Sequence, residues 1–389
     1  MPAAVDADLV VIGAGPAGAS TALFAARKGL RVVVLERAHF PKDKPCGEGL
    51  MPKGRAILAE LGLEATAVAS GAPSFRGIKF GLKGATPTTV AFPSDPFSGN
   101  GLGVRRLDFD SLLAEAMVAQ PLIELCQDTP VRSVRIGAKE NPSVVTSVGE
   151  IRSRSVAVAD GLRSPIRHQL GWTRGPRPPH RFGVVSHWMA DAPPDPWVRI
   201  TIDRGMELYE GPVAGNRRLV ALLCSKTRMG EFAGKLDQRY REIALELRPE
   251  LQAAVQEGGT AAIGPFRYGT KTVARDGVFL VGDASGFTDP ITGEGLASGM
   301  QQGKALATVL GEPDCERSYC RAHRKLPRDP RRVAALLLYL SASPVRVERG
   351  LRGLRRAPNA WSNVLGANFG YWGLSRVTPR EWIALVTGW

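Results

Sequence analysis

A Rossmann-type α/β fold (α+β overall), with an inserted mostly β domain and a helical C-terminal region, is predicted by three features of the sequence. The chain opens with an apolar strand, a glycine-rich turn and an alanine-rich helix. A second apolar strand near residue 280 runs into another glycine-rich turn. Between them, from about residue 177 to 264, the pattern changes to short alternating strands.

Residues 9–12 have the continuous apolar character of a buried parallel strand, residues 17–28 that of a helix, and residues 32–36 that of the next strand, which together make one βαβ unit. Gly13-Ala14-Gly15-Pro16-Ala17-Gly18 joins the first strand to the helix. Glycines at this spacing permit a tight turn and let the backbone approach a pyrophosphate held at the helix N-terminus. Glu36 closes the second strand, where a carboxylate can take the hydroxyls of an adenosine ribose, and Arg37 follows it. No second fingerprint of this kind occurs, so a separate nicotinamide-binding Rossmann domain is not expected.

Residues 40–49, FPKDKPCGEG, form a glycine- and proline-rich loop that returns the chain toward the nucleotide, bringing Cys46 and Gly47 with it. A cysteine there can act as an acid, as a polariser of a bound ring or as a packing residue, and Glu48 reads as structural. A helix is expected over 54–61, a β-rich segment over 78–92, and a second helix over 107–119. Arg106 just precedes that helix, where a guanidinium can grip a phosphate bidentately or simply cap the helix. Short strands over 131–158 lead to Asp160-Gly161, a turn sequence.

Residues 197–203 and 218–224 read as strands of the inserted domain and 236–247 as its helix. The strand over 278–281 then delivers Gly282-Asp283, followed by a proline loop with Pro290, by Gly293-Glu294-Gly295 and by a helix start at Leu296. A carboxylate for ribityl hydroxyls, then backbone amides at a positive helix end, suits the pyrimidine edge of a flavin. The two glycine segments together point to FAD. The expected division is an FAD-binding domain from 1–70, 101–170 and 265–310, a substrate domain from 71–100 and 171–264, and a helical region over 311–389.

The 389 residues suffice for a large core and about two domains. Neither a signal peptide nor a membrane-spanning apolar run is read in the sequence, and a cytoplasmic location is expected. Five scattered cysteines without metal-type spacing make neither a disulfide framework nor a metal site. The formal charge of +14 is concentrated after Glu316, in arginines from Arg317 to Arg356. This tract is either a solvated face or a peripheral membrane contact; nucleic acid is excluded by the lack of a recognition motif or interleaved aromatics.

The ordered set GAGPAG, Glu36, FPKDKPCGEG, VRRLDFD, ADGLRSPIR and GDASGFTDPITGEG resembles the geranylgeranyl reductase family, within the wider group of flavoproteins that includes para-hydroxybenzoate hydroxylase. The resemblance implies one noncovalent FAD, a substrate domain over its ring, and NAD(P)H as transient electron donor. It further implies that Gly13, Gly15, Gly18 and Glu36 hold the ADP half and Arg106 the pyrophosphate region, supported by Asp160 and Gly161. Asp283 would hold the ribityl chain, and Pro290, Gly293, Glu294 and Gly295 would frame the ring edge. Cys46 matches the cysteine that such reductases place near the flavin. Ser285-Gly286-Phe287 and Gly293-Glu294-Gly295-Leu296-Ala297 stand where aromatic hydroxylases carry a histidine with paired prolines and Gly-Gln-Gly-Leu-Asn, which favours the reductase branch.

Three functions remain open at this level. The first is an FAD-dependent reductase that moves hydride to a double bond of a hydrophobic small molecule, with a protein acid supplying the proton. The second is a monooxygenase on a hydrophobic aromatic or polyketide-derived substrate, and the third an FAD-binding electron-transfer protein without turnover. The apolar run over 333–340, VAALLLYL, and the aromatic tail either line a groove for an apolar substrate or pack the core.

Overall fold

The computed structural model describes residues 6–93, 99–137 and 140–388. The parts of the expected domain ranges that fall on residues 1–5, 94–98, 138–139 and 389 lie outside the described residues.

Continuous β-branched runs such as Val32–Leu35 can be buried on both faces, and they form the centre of a largely parallel sheet. Its order is Ala274–Arg275, Val278–Leu280, Glu150–Val158, Ala7–Ile12, Val32–Leu35 and Ile123–Cys126, with an antiparallel extension through Glu140–Thr146 to Val131–Gly137. The helix Pro16–Arg27 crosses between the first two strands, and Pro16 fits its first turn because proline lacks only an amide that would be unpaired there. Two small-residue helices meet closely: a Cβ on Gly303 would lie 2.8 Å from the Ala17 carbonyl oxygen, so glycine allows Gly295–Val309 to pack against Pro16–Arg27.

A second sheet has seven strands, in the order Val255–Ile263, Arg181–Met189, Arg217–Ser225, Met206–Pro212, Val198–Asp203, Gly77–Leu82 and Thr88–Ala91. It combines chain from before and after the helix Arg106–Val118, because Val198–Asp203 pairs in parallel with Gly77–Leu82. Alternation along Arg181–Met189 sends Val184 and Trp188 to the face covered by the helix Leu236–Leu247, where the Trp188 indole donates to the Tyr240 hydroxyl at 3.1 Å. Val185 and His187 take the opposite face.

The C-terminal chain folds into the helices Cys315–Lys325, Arg328–Ser341, Pro344–Arg356, Pro358–Asn368 and Pro379–Thr387. Val333 and Leu340 of the apolar run join a core with Met51, Phe92, Trp361 and Phe369, so much of that run packs the interior. The same core takes in Ile78 and Phe80 of the second sheet, which fastens the helical region to it.

Candidate active site and cofactor cleft

Strand register brings the separate sequence motifs to one edge. Ile12 pairs with Leu35 and with Val158, and Val158 pairs with Leu280. The residues that follow these ends, Gly13, Glu36, Asp160 and Gly282, therefore emerge side by side beyond the carboxyl ends of the strands, where open α/β sheets bind ligands.

Gly13 has φ +97°, and a Cβ on it would lie 2.6 Å from the Ala159 carbonyl oxygen. A Cβ on Gly18 would lie 1.8 Å from the Gly13 oxygen, so these two glycines close the turn upon itself. Gly15 differs: the nearest atom to its position is Arg106 Nη2 at 3.9 Å, which leaves its face open to a bound group. Ala17 packs against Gly282 (φ +62°) and so joins the two glycine segments.

Glu36 is buried, with Oε2 accepting from the Ala14 amide at 2.9 Å and Oε1 from the Ala38 amide at 3.1 Å. Burial opposes its ionisation, yet its ion pair with Lys42 and these amides hold its pKa below the ordinary value. Arg37 beside it is exposed. The Arg106 fork does not stand free for a phosphate. Its Nε and Nη2 donate to Asp110 at 2.7 and 2.6 Å, because the i, i+4 spacing in Arg106–Val118 sets that carboxylate beneath a guanidinium which burial would otherwise leave uncompensated.

Arg106 also lies against Cys46, whose Sγ accepts from the Glu48 amide at 3.4 Å. Burial raises the Cys46 pKa by more than Arg106 lowers it, so the group is a thiol at neutral pH. Gly47 is exposed, and Glu48 is buried in the left-handed region at φ +53°. The Glu48 carboxylate accepts from the Arg106 amide at 2.8 Å and lies 2.8 Å from His187 Nε2. This loop thus touches the inner face of the seven-stranded sheet. His187 gave no sequence signal, being a single histidine inside a strand.

Asp160 is held through Oδ2 by the Ile166 amide at 3.3 Å, whereas its buried Oδ1 has no partner among the described residues, and burial raises its pKa. A Cβ on Gly161 (φ +89°) would lie 3.0 Å from Lys44 Nζ, which places the 40–49 loop beside this turn. Arg167, also missed in the sequence, donates to the carbonyls of Leu162, Asp283 and Ala284 at 2.8, 3.2 and 3.0 Å. It ties the Asp160 segment to the Gly282 turn.

Asp283 lines a cavity together with Gly295, Glu294, Ser298 and Arg331. Pro290 begins a short turn that ends at Gly293 (φ +69°), and Glu294 then precedes the helix Gly295–Val309, in which Leu296 is buried. The Glu294 side chain is buried without capping that helix, its Oε1 has no partner among the described residues, and burial pushes its pKa up to about 8 against the opposing pull of Lys53.

Above this edge, the inner face of the second sheet carries an apolar patch of Val185, Val213, Leu219, Ala221 and Tyr209. A buried polar group borders it: Arg181 pairs with Glu207 at 2.9 Å and with Asp289 at 3.2 Å, and the Tyr209 hydroxyl donates to Glu207 at 2.9 Å. Burial raises Asp289 to about 6 despite Arg181.

The open face at Gly15 and the Asp160 Oδ1, which has no partner among the described residues, suit FAD, whose polar atoms can meet such groups without displacing a side chain. The profile of the family described as FAD binding domain matches residues 6–317. The chain belongs to the FAD binding domain family. The match spans both glycine segments and the intervening second sheet, and it makes the protein an FAD-dependent oxidoreductase. It is 30% identical over 337 residues to the menaquinone reductase of Mycobacterium tuberculosis (strain ATCC 25618 / H37Rv), covering 80% of this chain and 78% of that protein. It is 28% identical to the digeranylgeranylglycerophospholipid reductase 1 of Methanopyrus kandleri, covering 82% of this chain and 84% of that protein. Among solved structures, the flavoprotein/dehydrogenase of Cytophaga hutchinsonii superposes with a TM-score of 0.82 at 19% identity, over 94% of this chain and 93% of that one. The last likeness is one of fold alone.

Proposed function

We propose that this family member reduces a carbon–carbon double bond in a lipophilic, isoprenoid-type substrate, with NAD(P)H as the transient electron donor. Similarity to a menaquinone reductase and to a digeranylgeranylglycerophospholipid reductase supports the lipid class of the substrate. The observation that carries the proposal is the placement of the Cys46 thiol, set against Arg106 on the loop whose Glu48 meets His187 on the inner sheet face.

Bound FAD would supply hydride at its ring. Gly13, Gly15, Gly18 and Glu36 would hold its ADP half, Asp160 and Gly161 the pyrophosphate region, Asp283 the ribityl chain, and Gly293 to Leu296 the ring edge. Arg106 would act by orienting Cys46 and lending positive charge near Gly15, with Asp110 fixing its guanidinium. Cys46 would donate the proton that completes saturation, and Arg106 would stabilise the resulting thiolate. The apolar patch around Val185 and Ala221 would exclude water and receive the hydrocarbon.

Membrane contact is proposed through the basic helices. In Pro344–Arg356 the residues Val347, Leu351 and Leu354 are buried, whereas Arg349, Arg352, Arg355 and Arg356 are exposed. Val345 and Ile383 add exposed apolar side chains, at 56% and 57% exposure. This combination suits the anionic surface where a lipid substrate resides. No helix among the described residues is long and apolar enough to cross a membrane.

The test is single turnover without oxygen. Photoreduced, flavin-loaded protein mixed with a polyprenyl lipid should recover the oxidised flavin spectrum in proportion to saturated product; flavin that stays reduced in every such mixture contradicts the proposal.

A further inference from the structure

Among the described residues, Glu294 is used neither as a helix cap nor in an ion pair within hydrogen-bond reach. It is 5% exposed, and Oε1 has no partner among the described residues. A buried acceptor without a donor is costly, whereas a protonated carboxyl facing an acceptor is not. The charged groups around it come from several elements: Lys53 on Pro52–Glu60, Asp283 on the Gly282–Ser285 turn, Asp289 on the proline loop, and Arg331 on Arg328–Ser341. Asp283, Asp289, Arg331 and Glu294 line one cavity with Gly295, whose amide opens the helix. That cavity borders the segment assigned above to the ribityl chain and ring edge, so the inference rests on that assignment.

We propose that the Glu294 carboxyl is a redox-tuning residue for the flavin, a hydrogen-bond donor to the polar edge of the ring whose ionisation disfavours the negatively charged reduced cofactor. Burial keeps the acid neutral up to about pH 8, in spite of Lys53 and the positive helix end. Negative charge gained by the cofactor on two-electron reduction raises the proton affinity of a neighbouring carboxyl. Above pH 8, reduction therefore draws one additional proton from solvent onto Glu294, while the electrons go to the flavin. Glutamine at this position keeps a donor and cannot ionise.

The test is the midpoint potential of the flavin-loaded protein followed by spectroelectrochemistry from acid to alkaline pH, in the wild type and in Glu294→Gln. The wild-type potential should fall more steeply with pH above about 8 than below it. The variant should lack the steeper segment and lie at higher potential in the alkaline range. Superimposable curves from two fully flavin-loaded proteins overturn the proposal. Wild-type protein that takes up no flavin overturns the FAD assignment itself, and this proposal with it. Should the variant not fold, the reduced-minus-oxidised infrared spectrum of the wild type decides: a carboxylic-acid C=O band gained on reduction at alkaline pH supports the proposal, and its absence overturns it.

Discussion

His187 and Glu48 stand 2.8 Å apart, and their contact joins the loop that carries Cys46 to the inner face of the seven-stranded sheet. Glu48 also accepts from the amide that opens the helix Arg106–Val118, so one buried carboxylate fixes the cysteine loop, the arginine helix and the sheet together. Removing Glu48 leaves the other two groups desolvated and unpaired, which costs more than the bond itself contributes.

Glu48→Ala should therefore destabilise the protein by about 1–3 kcal/mol, measured by denaturant unfolding. His187→Ala should cost less, because the Arg106 amide still pairs with Glu48. The double variant should show a coupling energy of at least about 0.5 kcal/mol. Strict additivity would mean that the two side chains do not interact in solution.

Asp283→Ala should yield folded protein with little flavin, seen as the loss of yellow absorption at unchanged circular dichroism. Gly15→Val should do the same, since a branched side chain would fill the space between the glycine turn and Arg106. Full flavin occupancy in both variants would contradict the assignment of this edge.

Cys46→Ala should slow product formation by about 100-fold or more, the range for losing a positioned proton donor. Flavin reduction by NAD(P)H should be little changed. Equal losses in the two half-reactions would instead make Cys46 a residue that shapes the loop.

His323 sets an acid limit on stability. Its Nε2 lies 2.7 Å from Ser285 Oγ, and burial, aided by the positive charge of Arg331, lowers its pKa from 6.5 to about 4. As pH falls from 6.5 toward 4, the unfolded chain binds a proton that the folded one refuses. The contribution is thus present above the unfolded pKa and is lost as pH falls through this window, on the order of 3 kcal/mol in all. His323→Gln should flatten the dependence of unfolding free energy on pH between 6.5 and 4, and an unchanged slope would contradict the assignment.

Replacing Arg349, Arg352, Arg355 and Arg356 with glutamine should weaken sedimentation with anionic vesicles by about 1 kcal/mol per arginine. The effect should shrink as salt is raised. Equal binding of wild type and variant would remove the membrane from the proposal.

The nucleotide fold was legible because its signals are local. A strand, a glycine turn and a helix lie within residues 7–27, and the second glycine segment repeats the logic near 282. The helix Leu236–Leu247 has the expected bounds, as its apolar spacing is regular. What stayed hidden depends on long-range pairing. The parallel pairing of Val198–Asp203 with Gly77–Leu82 needs contacts more than a hundred residues apart, and so do His187 on Glu48 and Arg181 on Asp289. Arg106 shows the converse: its position was legible, but the partner that takes its fork was not, although Asp110 lies only one turn along the same helix.

The central claim is that the reduced flavin saturates a lipid double bond without inserting oxygen. Mass spectrometry of lipid extract incubated with flavin-loaded protein and NAD(P)H, with and without air, tests it most directly. A product heavier by two hydrogens, formed equally well without air, is the predicted result. A product heavier by one oxygen and formed only in air would contradict the account and establish a monooxygenase.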